Sequence, residues 1–326
     1  MSNVAEQAFA SPWHAGEVAM QRSAGSAEKL AAHGHLLLRD HLIEQHRLFY
    51  PQLPFIVAGA VDSKGDAWAT IRTGSPGFLH APDPYRLSIA AAREGTDPAD
   101  DGMNDGDAVG LLGIELHTRR RNRLNGLVRR HDDGGFDVTV HQSFGNCPQY
   151  IQLRDFAFVR DPSAPTAEAP RVLDRLNELA RMIIAQADTF FVASYVDRAP
   201  GRREVDVSHR GGKTGFVRVD ADGVLTIPDF SGNRFFNTLG NLIANPKAGL
   251  LFVDFEAGDL LQLTGDAEVI LDSPEIAAFE GAERLWRFSP RRMLYRPDAL
   301  PLRWTFQPDG WSPQSLRTGT WDHTGR

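Results

Sequence analysis

The strongest constraint in this chain is that it repeats itself. Arg72 and Gly77 of RTGSPGF match Arg210 and Gly215 of RGGKTGF, 138 residues further on (210 − 72 = 138). LSI from Leu87 matches LTI from Leu225 at the same offset (225 − 87 = 138). VGLLGIE matches AGLLFVD through Gly110 and Gly249, and RLNG matches QLTG through Gly126 and Gly265, both at 139 (249 − 110 and 265 − 126). Ahead of these, FIVAGAVD from Phe55 aligns with FFVASYVD from Phe190. An offset this constant across successive apolar runs reads as a tandem duplication of a six-stranded, mostly antiparallel unit of about a hundred residues.

The runs themselves have strand length and are separated by Gly, Asp and Pro: FIVAGAV, AWATIR, YRLSIA, VGLLGIEL, NRLNGLV and FDVTVHQSF. Strands joined by short turns favour a small closed barrel, because closure removes the exposed edges that invite aggregation. Two such units in one chain are expected to pack as identical subunits would, as an intrachain pseudo-dimer. Helical spacing appears over 17–50, in VLDRLNELARMIIAQADTF after the Pro/Ala linker DPSAPTAEAP, and near PEIAAFEGAERLWRF. The expected fold is mainly β with added helices (α+β), built as two tandem split barrels. Its parts are an N-terminal helical arm over 1–53, copy one over 54–160, and a linker, helix and copy two with a helical tail over 161–326.

Composition narrows the class. Among 326 residues, 42% hydrophobic and 24% charged is globular usage. A net charge of −7, from 35 basic and 42 acidic side chains, speaks against coating nucleic acid. The single cysteine, Cys147, rules out an intrachain disulfide and a cysteine-based zinc site. MSNVAEQAFASPWHAGE has no basic stretch followed by an apolar one, and no run approaches eighteen apolar residues. A soluble, cytoplasmic protein without membrane contact is expected.

Duplicated copies differ where one has lost a task. Between LTI and its GLL strand copy two carries PDFSGNRFFNTLGNLIANPK, with Asn233, Arg234, Asn237 and Asn241. Copy one carries AAAREGTDPADDGMNDGD there, rich in carboxylates. A phosphate dianion needs Arg or Lys with amide donors, which copy two supplies and copy one's acids would repel. Arg210 and Lys213 add charge on copy two's turn, whereas copy one keeps Arg72 but has Ser75 opposite Lys213. One competent anion site, on the copy-two side, is the expectation.

The blocks SHRGGKTGF, PDFSGNRFFNTLGNLIANPKAGLLFVDF and HQSFGNCPQYIQ resemble the pyridoxamine 5′-phosphate oxidase-like FMN-binding split barrels, in particular their predicted flavin-nucleotide-binding branch. The resemblance covers most of 13–270 and is weaker after Glu275. It implies FMN between two barrels, with Ser208, Arg210, Lys213, Asn233 and Arg234 at the phosphate. Ile227 and Pro228 would lie along the flavin ring, and His209 would face the flavin or stand outward beside Arg210. The other barrel would add Arg123, Asn125, Gln142 and Ser143. The implied activity is that of a flavoprotein oxidoreductase working on a small organic molecule or a nicotinamide nucleotide. The alternative is a non-catalytic flavin carrier, sensor or electron-transfer module. A homodimer of such fused chains is left open.

Other signals have plainer readings. GGKTG is no P-loop, because Val207 stands where the first glycine belongs and a strand, FVRV, follows. No GxGxxG links a strand to a helix. RRRNR at 119–123 reads as a solvated hairpin, with contact to flavin or substrate as the rival. Cys147 between Asn146 and Pro148 reads as a structured turn rather than a nucleophile. His33, His35, His41 and His46 lack metal-site spacing and read as surface helix residues. SPWHAGE at 11–17 is either a lid over the site or an arm docked on a barrel.

Overall fold

Apolar runs bounded by turn residues become strands, and the chain builds two antiparallel sheets from them. The computed structural model describes residues 11–132, 134–164, 168–199 and 201–321, so the start of the arm and the middle of the Pro/Ala linker lie outside the described residues. The first sheet contains β1 (Phe55–Val61), β2 (Ala67–Thr73), β3 (Leu79–Asp83), β4 (Arg86–Ile89), β5 (Ala108–Glu115), β6 (Arg120–Arg130) and β7 (Phe136–Gly145). Their spatial order is β2-β1-β5-β6-β7-β4-β3. After the short strands β8 (Arg154–Phe158) and β9 (Arg171–Leu173) comes the second sheet. It contains β10 (Thr189–Ala199), β11 (Arg202–Gly211), β12 (Arg218–Val219), β13 (Leu225–Phe230), β14 (Lys247–Val253), β15 (Leu260–Ile270) and β16 (Ala282–Arg296). Its order, β11-β10-β14-β15-β16-β13-β12, is that of the first sheet strand for strand. β9 joins β16, and β17 (Leu302–Phe306) pairs with β8 in a small separate sheet.

Local devices recur with the topology. Pairing slips at Asn125/Gly126 in one sheet and at Thr264/Gly265 in the other, so each long strand bends at the same bulge. Gly77 and Gly215 take left-handed backbone (φ 100° and 86°) in matching turns. The first strands fit at an offset of 134 rather than the 135 read from FIVAGAVD and FFVASYVD, since Gly59 pairs with Ala69 as Ala193 pairs with Val207 (193 − 59 = 134). One residue matters in a strand, because the slip exchanges its faces. With the corrected register Ile56 and Phe190 each enter their own half's core, while Val57 and Phe191 share a third core between the sheets.

Two expectations fail here. Neither sheet closes into a barrel: β2 and β3 remain edges of the first, β11 and β12 of the second. Closure is not needed to cover β2 and β11, because β2 packs on β10 and β14 while β11 packs on β5. The other failure is the helix near PEIAAFEGAERLWRF. Only α6 (Pro274–Ala278) is helical; Gly281, at φ 82°, reverses the chain, and Ala282 onward is β16. Trp286 and Phe288 are buried while Arg287 and Ser289 are exposed, a period of two, and β16 pairs with both β13 and β15. Each sheet has seven principal strands rather than six, and among the described residues the tail after β16 has no α-helix, only a short 3-10 turn at Ser315–Arg317.

The helices cover the sheets. α1 (Ala15–Ser23), α2 (Ala27–Leu37) and α3 (Glu44–Phe49) form the described part of the arm; α4 (Glu178–Gln186) and α5 (Asn237–Ala244) belong to the second half. SPWHAGE starts α1 with a reciprocal cap: Gly16 N–H donates to His14 Nδ1 (3.1 Å), and His14 N–H donates to the Glu17 carboxyl (2.9 Å). α1 lies against α5 with Gly16 and Gly240 in contact, where either Cβ would strike the other helix's backbone. His46 is not a surface residue: it is buried with Nδ1 3.1 Å from Ser143 Oγ, and burial, then Arg39, lowers its pKa to about 4. Among the described residues no helix is long and apolar enough to cross a membrane.

The sheets meet through two matching glycines. A Cβ on Gly110 would come 2.7 Å from the Val205 carbonyl oxygen of β11, and one on Gly249 would strike the Ala67 carbonyl of β2. Gly249→Val is therefore expected to lower the free energy of unfolding by about 1–3 kcal/mol, an overpacking cost. The exposed Gly95, with open space around it, should accept alanine within about 0.5 kcal/mol. Urea denaturation of both variants checks the contrast.

Candidate functional site

The packing of the sheets sets β6 of the first half beside β11 of the second, and a cleft lies along that seam. β6 alternates, so Arg121 and Arg123 present their guanidiniums on one face. β11 supplies Ser208, His209 and Arg210, β13 supplies Pro228 and Asp229, and the loop 231–236 leads into α5. In that loop Arg234 (φ 61°) and Phe236 (φ 62°) both take left-handed backbone, which for non-glycine residues costs free energy and fixes the loop's course.

Arg123 is the hub. Its Nε donates to the Val207 carbonyl (2.9 Å), Nη1 to Asn237 Oδ1 (2.9 Å) and Nη2 to Ser208 Oγ, with Asp206 at 3.7 Å. Thr238 Oγ1 donates to the same Ser208 oxygen (2.9 Å). Arg210 pairs with Asp229 (2.5 Å), and its buried Nε has no hydrogen-bond partner. Arg234 reaches Glu283 (3.2 Å) and the Ala24 carbonyl (3.2 Å). Arg121 donates to the Cys147 carbonyl (2.8 Å) and stands 3.4 Å from His209 Nδ1; no carboxylate pairs with it among the described residues.

The electrostatics follow from this. Four guanidiniums border the cleft, those of Arg121, Arg123, Arg210 and Arg234, against two carboxylates, Asp229 and Glu283. Burial, then the repulsion of Arg123, brings the Arg121 pKa down to about 9, with Arg210 adding to it. Burial lowers Arg123 as well. His209 is held well below its ordinary value, first by burial and then by Arg121, Arg154 and Arg210, so its imidazole is neutral; its Nε2 has no partner. Such a surplus of buried positive charge is relieved by an anion in the cleft.

Of the residues singled out in the sequence, Ser208, His209, Arg210, Pro228, Asn233, Arg234 and Arg123 all border this cleft. Asn233 Nδ2 donates to Asn146 Oδ1 (3.0 Å) across the seam. Asn125 lies one layer behind, bonded to Asp206 (2.9 Å) and Gln142 (3.2 Å). Three others stand elsewhere. Ile227 is wholly buried in the second half's core, because neighbours on a strand face opposite ways and Pro228 takes the cleft side. Lys213 sits on the turn beyond β11 and does not border the cleft. Ser143 is bound to His46 and to the Arg39 backbone.

Asn237, one of the amide donors read from copy two's segment, also borders the cleft, and Arg121, Thr238, Tyr150 and Asp229 join it without having been singled out as site residues. For Arg121 the signal was available: it is two residues from Arg123 on an alternating strand. Tyr150 stacks on Phe230 (5.3 Å between centroids) at the mouth, its hydroxyl donating to the Ser231 carbonyl (3.0 Å). The space within is about 130 Å³. Pockets for whole drug-sized ligands run to about 300–1,000 Å³, so the interior suits a phosphate and its ester, and a larger body would extend past the Tyr150–Phe230 pair.

No protein-family profile and no curated protein matches the chain. Solved structures do match, at low identity and over part of the chain. HupZ from Group A Streptococcus is 14% identical over 36% of this chain and 90% of its own, with a TM-score of 0.29. A structure described as a putative pyridoxamine 5′-phosphate oxidase from Lactobacillus delbrueckii is 14% identical over 32% of this chain and 95% of its own, TM-score 0.26. HutZ from Vibrio cholerae, described as a heme storage protein, is 19% identical over 38% of this chain and 95% of its own, TM-score 0.26. These matches include proteins of the kind the sequence resembles; at such TM-scores they carry no weight for function.

SPWHAGE proves to be a docked arm behind this cleft. Glu17 accepts from Asn237 Nδ2 (2.6 Å), so α1 backs the residue that holds Arg123. Burial first, then Asp206, raises the Glu17 pKa to about 8. A carboxyl raised from 4.5 keeps its proton in the folded chain while the unfolded chain loses it, so this group takes stability away as pH rises from about 4.5 to 8. The free energy of unfolding should therefore fall across that window with a one-proton component, at most about 1.4 kcal/mol per pH unit, that Glu17→Gln lacks. Urea titrations of both proteins between pH 5 and 8 measure the difference in slope.

Proposed function

We propose that the chain is an FMN-binding flavoprotein that holds the cofactor's phosphate in the cleft between β6 and β11. The observation that carries this is the convergence of Arg121, Arg123 and Arg210 on one small space with too few carboxylates to neutralise them. The chemistry of the donors fits the group. Guanidiniums and hydroxyls suit a phosphate monoester, and the orphaned Arg210 Nε and His209 Nε2 are unused polar atoms in the same place. In this reading Ser208, Thr238, Arg123 and Arg210 hold the phosphate, Arg121 adds charge, and Asn233 ties the rim of one half to the other. Pro228 and the Tyr150–Phe230 pair offer the apolar surface that a flavin ring needs.

The duplication belongs to the same proposal. Two copies of one unit, joined in tandem, give the seam that two separate subunits would otherwise form, and in one of its two equivalent clefts Arg72 and Arg296 are taken up by acids of the chain itself. Bound flavin supplies redox chemistry, and the protein's part is to bind it and orient it. An oxidoreductase acting on a small organic molecule or a nicotinamide nucleotide is the primary reading. A flavin carrier or sensor is the second, favoured by the narrow cleft and by the neutral, buried His209 on its wall. Reduction of the bound flavin by NADH or NADPH, followed by reoxidation with added acceptors, supports the enzyme; its absence with both donors supports the carrier.

Purified protein should absorb at flavin wavelengths or quench the fluorescence of added FMN. Arg210→Ala should weaken FMN binding at least tenfold, since a charge-assisted hydrogen bond is worth about 1.5–3 kcal/mol and about 1.4 kcal/mol is tenfold. Lys213→Ala, outside the cleft, should change it by less than about threefold. Fluorescence titration decides, and a chain that neither carries nor takes up FMN overturns the proposal.

A further inference from the structure

The cleft has a counterpart in the first half, and the chain itself occupies it. Thr70, Arg72 and Gln262 stand where Ser208, Arg210 and Arg123 stand in the second half (208 − 70 = 138, 210 − 72 = 138, 262 − 123 = 139). The frames coincide in detail. Gln262 Nε2 donates to the Ala69 carbonyl (3.0 Å) as Arg123 Nε donates to that of Val207 (207 − 69 = 138).

Thr70 and Arg72 of the first half and Gln262 of β15 converge on one carboxylate, that of Asp97. Thr70 Oγ1 donates to it, Arg72 Nη1 donates at 2.7 Å, and Gln262 Nε2 donates at 3.0 Å. Arg296 adds a fourth bond at 3.2 Å. The Asp97 side chain is 0% exposed. Above it lies a cavity of about 1150 Å³ whose wall includes Arg72, Arg296, Glu94 and Thr96. In the second half the matching stretch is Phe235, Phe236 and Asn237, with no carboxylate, and Arg210 turns aside to Asp229.

We propose that Asp97 is a built-in anion ligand: its carboxylate fills the second anion site of this fold, and withdrawing it opens that site to phosphate. Four side-chain donors, with the Ala99 N–H at 3.0 Å as a fifth, surround its two oxygens as a bound carboxylate or phosphate monoester requires. Glu94 and Asp100 also face the site, paired with Arg296 and Arg72 (Asp100 at 3.0 Å), and Arg130 stands 3.2 Å from Asp100. Without Asp97 the three arginines outnumber these two acids. The wild-type chain consequently directs a phosphorylated ligand to the second-half cleft, because Arg72 and Arg296 beside the larger cavity are already taken up by Glu94, Asp97 and Asp100.

The choice of donors rests on the anion-site reading of the other cleft, but the test separates the two. Inorganic phosphate is the probe, by equilibrium dialysis and by melting temperature at constant ionic strength against chloride. Asp97→Ala should bind one more equivalent of phosphate than the wild type, and its melting temperature, lower in chloride, should climb with phosphate. Wild type one and variant two supports both readings. Wild type none and variant one overturns the cleft reading and keeps this one; equal stoichiometry in both proteins overturns this one. If Asp97→Ala does not fold in chloride, the yield on refolding in phosphate replaces dialysis, and equal yields in the two salts sink the proposal. Asp97→Asn keeps the packing and should show the same gain more weakly.

Discussion

Everything in this molecule depends on two sheets approaching closely enough for backbone to touch backbone. Gly110 and Gly249 permit it, each removing a side chain where the other half's edge strand crosses. The approach buries Val57, Phe191, Val207 and Leu251 in a core that belongs to neither half alone. It also covers β2 and β11, so the sheets can stay open without offering free edges there. Its consequence for function is placement: β6 of one half is set against β11 of the other, and a charge on either strand faces a charge on its partner.

On that shared frame the two halves place their charges differently. The seam on one side has Arg121 and Arg123; the matching positions on the other side are Leu260 and Gln262 (260 − 121 = 139). The arginines that remain there, Arg72 and Arg296, are answered by Glu94, Asp97 and Asp100 from the acidic loop. A buried guanidinium is tolerable only with a counter-charge, and the first half has made its own. At the other cleft Arg123, Arg210 and Arg234 each have one acid within reach, but Arg121 has no carboxylate partner among the described residues. The contrast is one of satisfied against unsatisfied charge, which is why only one cleft is assigned a ligand.

Much of this was legible in the sequence because the repeat shows where equivalent strands begin and end. The common topology, the bulges at Gly126 and Gly265 and the basic turn at Arg210 all sit on the constant offset. What escaped was whatever depends on a strand's facing or on long-range pairing. Ile227 and Pro228 are neighbours in sequence but point to opposite faces, so a motif that names both cannot say which meets the cleft. β16 contains ERLWRF, which has helix-forming residues, yet it fills the place that FDVTVHQSF fills in the first sheet. Pairing on both sides outweighed local propensity. The acidic loop read as something that would repel a phosphate; that Asp97 turns inward and binds the arginine itself needed the fold.

The N-terminal arm completes the argument for a preformed site. Arg123 cannot move without breaking its bond to Asn237, and Asn237 is held in turn by Glu17 on α1. α1 is pinned to α5 by the Gly16–Gly240 contact and by His14 Nε2 at 2.9 Å from Asn241 Oδ1. The chain from α1 to the cleft is therefore short and fully buried, running through carboxyl, amide and guanidinium. An anion bound between Ser208 and Arg210 meets an arginine already fixed in place, so little ordering remains to oppose binding. The same arrangement places a carboxyl with its pKa raised to about 8 beside Asp206, where burial and that neighbour's charge are only partly offset by the His14 and Asn237 hydrogen bonds and by Arg198. A segment far away in sequence thus sets the charge balance of the cleft without touching what the cleft would hold.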